Sequence, residues 1–192
     1  MSTTSGAFLS LLSERCGSEE SASRLLETTA IELGVGTDSL PNLALHAVAL
    51  VKTGYPLEKI ARALSWREFE GFCANILRAS GFQVNENLSL KKPRRQVDIF
   101  ASSASLALSV DCKHWRKTIG EAGLSTFARY QRERSEAVRK QVGNDCVPIV
   151  SVVLTLLDER PRIVEGVAVV SLLSLRNFLI SIDGLRDLLT LV

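Results

Sequence analysis

Residues 97–117 read V-D-I-F-A-S-S-A-S-L-A-L-S-V-D-C-K-H-W-R-K. They hold two aspartates and a lysine at a spacing that a β-hairpin would close into one patch. From Leu106 to Lys113 the chain alternates, so Leu106, Leu108, Val110 and Cys112 share one face of a strand while Ala107, Ser109, Asp111 and Lys113 share the other. Asp111 and Lys113 therefore point the same way. Residues 102–105 are small and polar enough to turn, which lets a strand over Val97–Ala101 fold back and present Asp98 beside Asp111. The carboxylates of Asp98 and Asp111, with the main-chain carbonyl of Cys112, are the hard oxygen ligands that Mg²⁺ or Mn²⁺ prefers. An ion held there would polarise a phosphate oxygen and acidify a water that Lys113 could position. This is chemistry suited to phosphodiester hydrolysis.

These residues resemble a family. Val97-Asp98 followed by Asp111-Cys112-Lys113 resembles the PD-(D/E)xK nuclease signature, and Cys-Lys-His-Trp at 112–115 resembles the continuation seen in Mrr-like restriction endonucleases. Upstream, Trp66-Arg67-Glu68-Phe69-Glu70, then Ile76-Leu77 and Ser80-Gly81-Phe82, resembles that family's opening helix, whose glutamate joins the active site and matches Glu70. Downstream, 147–155 and 166–170 resemble the remaining core strands. The resemblance spans roughly 65–192 and implies a restriction-endonuclease-like α/β core, a central mixed β-sheet flanked by helices. It also implies a metal-dependent DNA endonuclease with Glu70, Asp98, Asp111 and Lys113 as catalytic residues, Asp98, Asp111 and the Cys112 carbonyl as metal ligands, and Glu70 reaching the metal through water. Val97 stands where the family's name has proline, and Lys-Lys-Pro-Arg-Arg-Gln precedes Asp98 where Mrr-type enzymes carry a glycine-rich turn. The second departure bears on substrate preference more than on chemistry.

Charge distribution agrees with a polyanionic partner. The net charge is only +2, yet residues 91–140 contain 12 basic and 5 acidic side chains. Lys91, Lys92, Arg94 and Arg95 lie just before Asp98, and Arg116 and Lys117 just after Lys113. Their positive field would attract DNA with salt-sensitive affinity, although a solvated loop around Pro93 explains the same run. The helix expected over 121–142 adds Arg129, Arg132, Arg134, Arg139 and Lys140. Its i, i+4 spacings Arg129–Glu133, Arg132–Glu136 and Glu136–Lys140 are those of an ordinary solvent-facing helix.

The elements that must carry this site follow from periodicity. Ser65 and Glu68 form a capping box, leaving Glu70 as the uncommitted carboxylate of a helix that buries Phe69, Phe72 or Cys73, Ile76 and Leu77 and stops at Gly81. Strands are expected at 82–90, 97–101, 106–113, 147–155 and 166–170, with a turn at Pro161 and terminal helices. Residues 1–64 read as an N-terminal helical region: 18–33, then 40–53 with Pro41 in its first turn, then 56–64. The last two spacings allow a helix-turn-helix, but Lys59 and Arg62 are the only cations of the second helix, so a helical cap on the nuclease core is the better reading. His46, among apolar neighbours, reads as a core histidine. His114 has the wrong parity to face Asp111.

A chain of 192 residues with 46% hydrophobic composition can build a core of ordinary domain size. Its longest apolar run, 147–157, falls short of the about 20 residues that span a bilayer, and the amino-terminal residues lack a secretory pattern, so a cytoplasmic protein without a membrane span is expected. Cys16, Cys73, Cys112 and Cys146 are widely spaced and read as small buried thiols rather than zinc ligands. Two other readings share the motif: a Holliday-junction-resolvase-like nuclease, which a homodimer with paired active sites would signal, and a non-catalytic nuclease-fold regulator binding nucleic acid or protein.

Overall fold

The structure is a computed structural model and describes residues 3–32, 43–91, 94–114, 120–143, 147–155 and 161–192. The chain divides into two compact units, Met1–Ala79 and Ser80–Val192.

The first unit is helical. Helices α1 (Thr3–Cys16), α2 (Glu19–Glu32), α3 (Leu43–Lys52), α4 (Leu57–Ala63) and α5 (Trp66–Ala79) follow one another. Helix α1 is an addition to the sequence expectation; its run of Ser, Thr and Gly hides a stripe in which Phe8 and Leu12 are buried. Arg15 of α1 donates to the Thr53 carbonyl at 2.8 Å and to its hydroxyl at 3.0 Å, supplying cation and donors to the C-terminal end of α3 where unpaired carbonyls collect. The capping box forms as expected: the Ser65 amide donates to Glu68 Oε2 at 2.7 Å and the Glu68 amide to Ser65 Oγ at 3.4 Å. Helix α5 buries Phe69, Glu70, Phe72, Cys73, Ala74, Asn75 and Leu77, whereas Ile76, expected inside, is only half-buried.

His46 on α3 is buried, and loss of hydration lowers its pKa. A depressed histidine pKa resists protonation in the folded state while the unfolded chain protonates near 6.5. Stability should therefore fall as pH drops below that value and hold steady above it. In urea titrations from pH 8 to pH 5, His46→Leu should show a shallower dependence than the parent. Equal slopes would remove His46 from the acid response.

The second unit carries a six-stranded mixed sheet, with β1 (Gln83–Leu90), β2 (Arg95–Ser102), β3 (Ala107–Lys113), β4 (Ile149–Thr155), β5 (Arg162–Val164) and β6 (Val167–Ser171) in the order β1-β2-β3-β4-β6-β5. The β1–β2–β3 meander is antiparallel, β3–β4 and β4–β6 are parallel, and β5–β6 is antiparallel. A parallel β3–β4 pair requires a long crossover, which α6 (Glu121–Val142) provides. Glu121 sits in its first turn and Arg139 and Lys140 in its last, matching the helix dipole. Strands β3, β4 and β6 are almost wholly buried, as central strands covered on both faces must be. One packing cluster joins Ala137 and Val138 of α6 to Val97, Phe100, Ala107 and Ile149. Another joins Leu124 and Ala128 to Val153, Val167 and Val169.

Where a Pro161 turn was expected, residues 162–164 instead form the edge strand β5. Glu165 and Gly166, both at positive φ (51° and 78°), close the β5–β6 hairpin in two residues, the backbone of a type I′ turn. Beyond β6 lie a short 3₁₀ turn, α7 (Leu175–Ser181) and a second 3₁₀ segment. Among the described residues, no helix is long and apolar enough to cross a membrane. Cys73 and Cys112 are buried and Cys16 is half-buried, none of the three in a disulfide; Cys146 lies outside the described residues.

Candidate active site

The β2–β3 hairpin turns where the serines predict it. The Ser103 amide donates to the Leu106 carbonyl at 2.8 Å, and Ser103 Oγ accepts the Leu106 amide at 3.3 Å. From that turn the rungs run Ser102↔Ala107, Ala101↔Leu108, Phe100↔Ser109 and Ile99↔Val110. Directly opposed residues share a face, so Asp98, the next residue along β2, follows Phe100 onto the side that holds Ser109 and Asp111. Here the backbone ladder gives way to a side chain: Cys112 N–H donates to Asp98 Oδ2 at 2.8 Å. Across β2, the rungs Glu86↔Ile99 and Leu88↔Val97 bracket Asn87, which takes a left-handed φ of 55° opposite Asp98. Backbone irregularity of this kind at a strand re-aims the side chains beside it.

Asp111 is the electrostatic centre. Its side chain is 4% exposed and accepts Lys113 Nζ on Oδ2 at 2.8 Å and Arg134 NH1 on Oδ1 at 2.5 Å. Lys113 also lies over the Phe127 ring at 5.5 Å, a cation–π contact that fixes its stem against α6. Burial raises the Asp98 pKa above the ordinary aspartate value. The Cys112 amide opposes that rise, the Asp111 charge adds to it, and Lys113 and Arg134 pull it back. Asp98 thus responds to the charges of Asp111, Lys113 and Arg134, which are themselves joined by the two ion pairs.

Helix α6 is held in register on β3 and β4 by a buried polar ladder. Gln131 Nε2 donates to the Ser109 carbonyl at 2.6 Å and to Ser109 Oγ at 3.2 Å. Ser135 Oγ donates to the Gln131 carbonyl at 3.0 Å and accepts from Ser151 Oγ at 2.7 Å. These groups are fully buried, and polar contacts away from water tolerate little sliding because any shift leaves them unsatisfied. Gln131 and Arg134 are three apart and so lie on neighbouring turns of one face. The ladder that seats Gln131 on Ser109 therefore also aims Arg134 at Asp111, two residues along the same strand face.

The expected residues divide as follows. Asp98, Asp111 and Lys113 come together, with the Cys112 backbone tied to Asp98. Glu70 belongs to the first unit, where it is buried on α5. Of the basic residues, Lys91 and Arg94 are exposed. Arg95 donates to Glu133 at 2.9 Å, so Glu133 pairs across to β2, whereas the helix spacing alone suggested Arg129. Lys92, Arg116 and Lys117, like Trp115 of the C-K-x-W run, lie outside the described residues. Arg134 is the residue that sequence reasoning undervalued, as one of several helix arginines. The available signal was Gln131 and Ser135 interrupting the apolar stripe Leu124, Ala128 and Val138, because polar residues on a buried face imply polar groups opposite.

Among the described residues no three His, Cys, Asp and Glu side chains cluster as a metal cage. The Asp98 and Asp111 pair still suits Mg²⁺, which is commonly held by one or two carboxylates and completes its shell with water and substrate phosphate. A zinc-type site would need nitrogen or sulfur ligands that this pair does not offer.

No curated protein gives a significant match to the chain. Residues 61–140 match the Mrr_cat family model, described as restriction endonuclease. The matched stretch runs from the end of α4 through α5, the β1–β2–β3 meander and most of α6, and so contains Glu70, Asp98, Asp111, Lys113 and Arg134. Over residues 61–140 the chain is therefore similar to a restriction endonuclease catalytic domain, a family that implies a nuclease acting on DNA.

Proposed function

We propose that the protein is a metal-dependent DNA endonuclease in which residues 65–192 act as the nuclease domain and residues 1–64 as an accessory helical region. The observation that carries this reading is the convergence of Asp98, Asp111 and Lys113 on one face of the β2–β3 hairpin, with the Lys113–Asp111 contact at 2.8 Å. Asp98 and Asp111 would hold Mg²⁺ or Mn²⁺ together with the Cys112 carbonyl, and Glu70 would contribute through water. The bound ion supplies Lewis acidity toward the phosphate and lowers the pKa of water. Asp98 keeps the Cys112 backbone oriented through its hydrogen bond. Lys113, anchored between Asp111 and Phe127, presents its ammonium to orient the attacking water and to offset charge building on the phosphate. The test is incubation with plasmid, single-stranded and four-way-junction DNA in Mg²⁺, Mn²⁺ or EDTA. Metal-dependent cutting of plasmid supports the reading. Cutting confined to the junction assigns the chain to the resolvase alternative, and binding without cutting in either metal ends the catalytic reading.

The exposed Lys91 and Arg94, with Lys92, Arg95, Arg116 and Lys117, are proposed to bind phosphate. Replacing Lys91, Lys92, Arg94 and Arg95 by Gln should weaken DNA binding for every sequence alike. It should also flatten the dependence of log affinity on log salt by about one unit for each phosphate that is no longer neutralised. Arg95 should contribute least, because Glu133 already engages it. An unchanged salt slope would reduce the run to a solvated loop.

A further inference from the structure

Asp111 presents both carboxylate oxygens to cations of its own chain: Oδ2 to Lys113 at 2.8 Å and Oδ1 to Arg134 at 2.5 Å. The two cations are placed differently. Lys113 sits two residues along the same strand, so the pleat keeps it beside Asp111 whatever else moves. Arg134 reaches in from α6, with its side chain 27% exposed against 4% for Asp111, so the arginine side chain is the more open of the two to water. Asp111 is buried and the half-buried Asp98 lies on the same sheet face, so negative charge collected there calls for a cation close by, and Arg134 brings one to Asp111 Oδ1 from outside the strand.

We propose that Arg134 is an intrinsic occupant of the metal position: it neutralises Asp111 until a divalent cation displaces it from Oδ1, and its freed guanidinium then turns to the DNA phosphate. Arg134 is thus a positioning residue that sets the metal affinity of the site and couples metal entry to substrate. A fork of N–H donors suits this exchange, since it forms the same charge-assisted hydrogen bonds with a phosphate as with a carboxylate. The buried Gln131–Ser109 and Ser135–Ser151 hydrogen bonds hold α6 fixed through the exchange, so only the side chain need move. The inference rests on the proposed Asp98 and Asp111 metal site.

The test is Mn²⁺ binding to the full chain without DNA, by calorimetry or by electron paramagnetic resonance of the free ion. Arg134→Gln removes the competitor and should bind Mn²⁺ more tightly, by roughly tenfold. Arg134→Lys, which keeps the charge but not the fork, should fall between the two. Arg129→Gln, an exposed cation of the same helix stacked on Tyr130, controls for the general field and should change affinity by less than about twofold. In Ca²⁺, which substitutes for Mg²⁺ as a hard ion, Arg134→Gln should bind DNA more weakly than the parent although it binds metal better. A merely structural arginine would weaken both metal and DNA binding. If Arg134→Gln leaves Mn²⁺ affinity unchanged or weakens it while Asp111→Asn abolishes binding, the metal site stands and the competition does not. If Asp111→Asn binds Mn²⁺ as the parent does, the metal site itself is wrong and the inference falls with it.

Discussion

Asp111→Ala should lose cleavage by at least about a thousandfold while remaining folded, and Asp98→Ala and Lys113→Ala should each fall by roughly 10²- to 10⁴-fold, the range spanned by removal of a catalytic acid–base group or a charge-stabilising donor. The two aspartate variants should also lose metal binding; Lys113→Ala should retain it. Folding survives because the cations left behind at position 111, Lys113 and Arg134, have side chains 22% and 27% exposed and can turn to water. Breaking a fully buried pair would strand a charge at a cost of about 3–5 kcal/mol. Circular dichroism and thermal melts in EDTA check that premise alongside the cleavage assay. Asp98→Asn adds a sign test: it keeps an oxygen to accept the Cys112 amide but removes a carboxylate whose ionisation burial opposes. The folded-state pKa is raised, so ionised Asp98 costs stability at neutral pH and costs nothing below its ordinary 3.8. In EDTA the Asn variant should therefore melt higher than the parent at pH 7, with the gain vanishing in acid. Within the same series Glu70→Gln should slow cleavage and weaken metal affinity less than loss of Asp111. Glu68→Gln should do neither, because its work is to accept the Ser65 amide, which a glutamine oxygen can still do. Wild-type-like cleavage by Asp111→Ala would overturn the site.

Gly166→Ala should destabilise the second unit by roughly 2–4 kcal/mol, enough to lower the melting temperature by on the order of 10 °C. Two effects add. Gly166 occupies φ +78°, where a β-carbon is strained, and the adjacent Glu165 already bears that strain at φ 51°. The new β-carbon would also lie 2.0 Å from Thr190 Oγ1, 2.9 Å from its Cβ and 3.0 Å from its backbone nitrogen. The hydroxyl can rotate away. The backbone cannot, because the Thr190 amide donates to the Gly166 carbonyl at 2.8 Å and the following residues are tied to β4 through the Val150↔Leu191 bridge and the reciprocal Ile149–Val192 bonds. Thr190→Gly should rescue part of the loss, giving a favourable coupling in a double-mutant cycle. A Gly166→Ala variant within about 0.5 kcal/mol of the parent would show that the hairpin and the Thr190 segment separate freely.

The shared face of Asp98, Asp111 and Lys113 was legible because it is local. A pleated strand alternates with period two regardless of its surroundings, so Asp111 and Lys113 had to share a face once residues 107–113 were read as a strand. The serines of 102–105 had to turn, which placed Asp98 across from Asp111. The capping box at Ser65 and Glu68 was legible for the same reason: its two hydrogen bonds join residues three apart. Other elements were less so. Helix α1 has too many small polar residues to show a stripe, and Glu-Gly is a weaker signature for a two-residue hairpin than Asn-Gly or Asp-Gly, so β5 read as part of a turn.

What tertiary structure alone decided was which distant groups meet. Arg95 finds Glu133 across 38 residues of chain and Arg134 finds Asp111 across 23. Neither pairing follows from helix spacing, which offered Glu133 to Arg129 instead. The rotation of α6 over β3 is set by the buried hydrogen bonds of Gln131 and Ser135 with Ser109 and Ser151, and a turn more or less would send Arg134 to solvent and leave Asp111 with one cation. Gly166 and Thr190 likewise meet only because the last segment returns to β4. Local sequence determines which way a side chain points from its own strand or helix; which charge stands in front of it depends on how the elements dock, and that is decided by burying complementary polar and apolar surface across the whole unit.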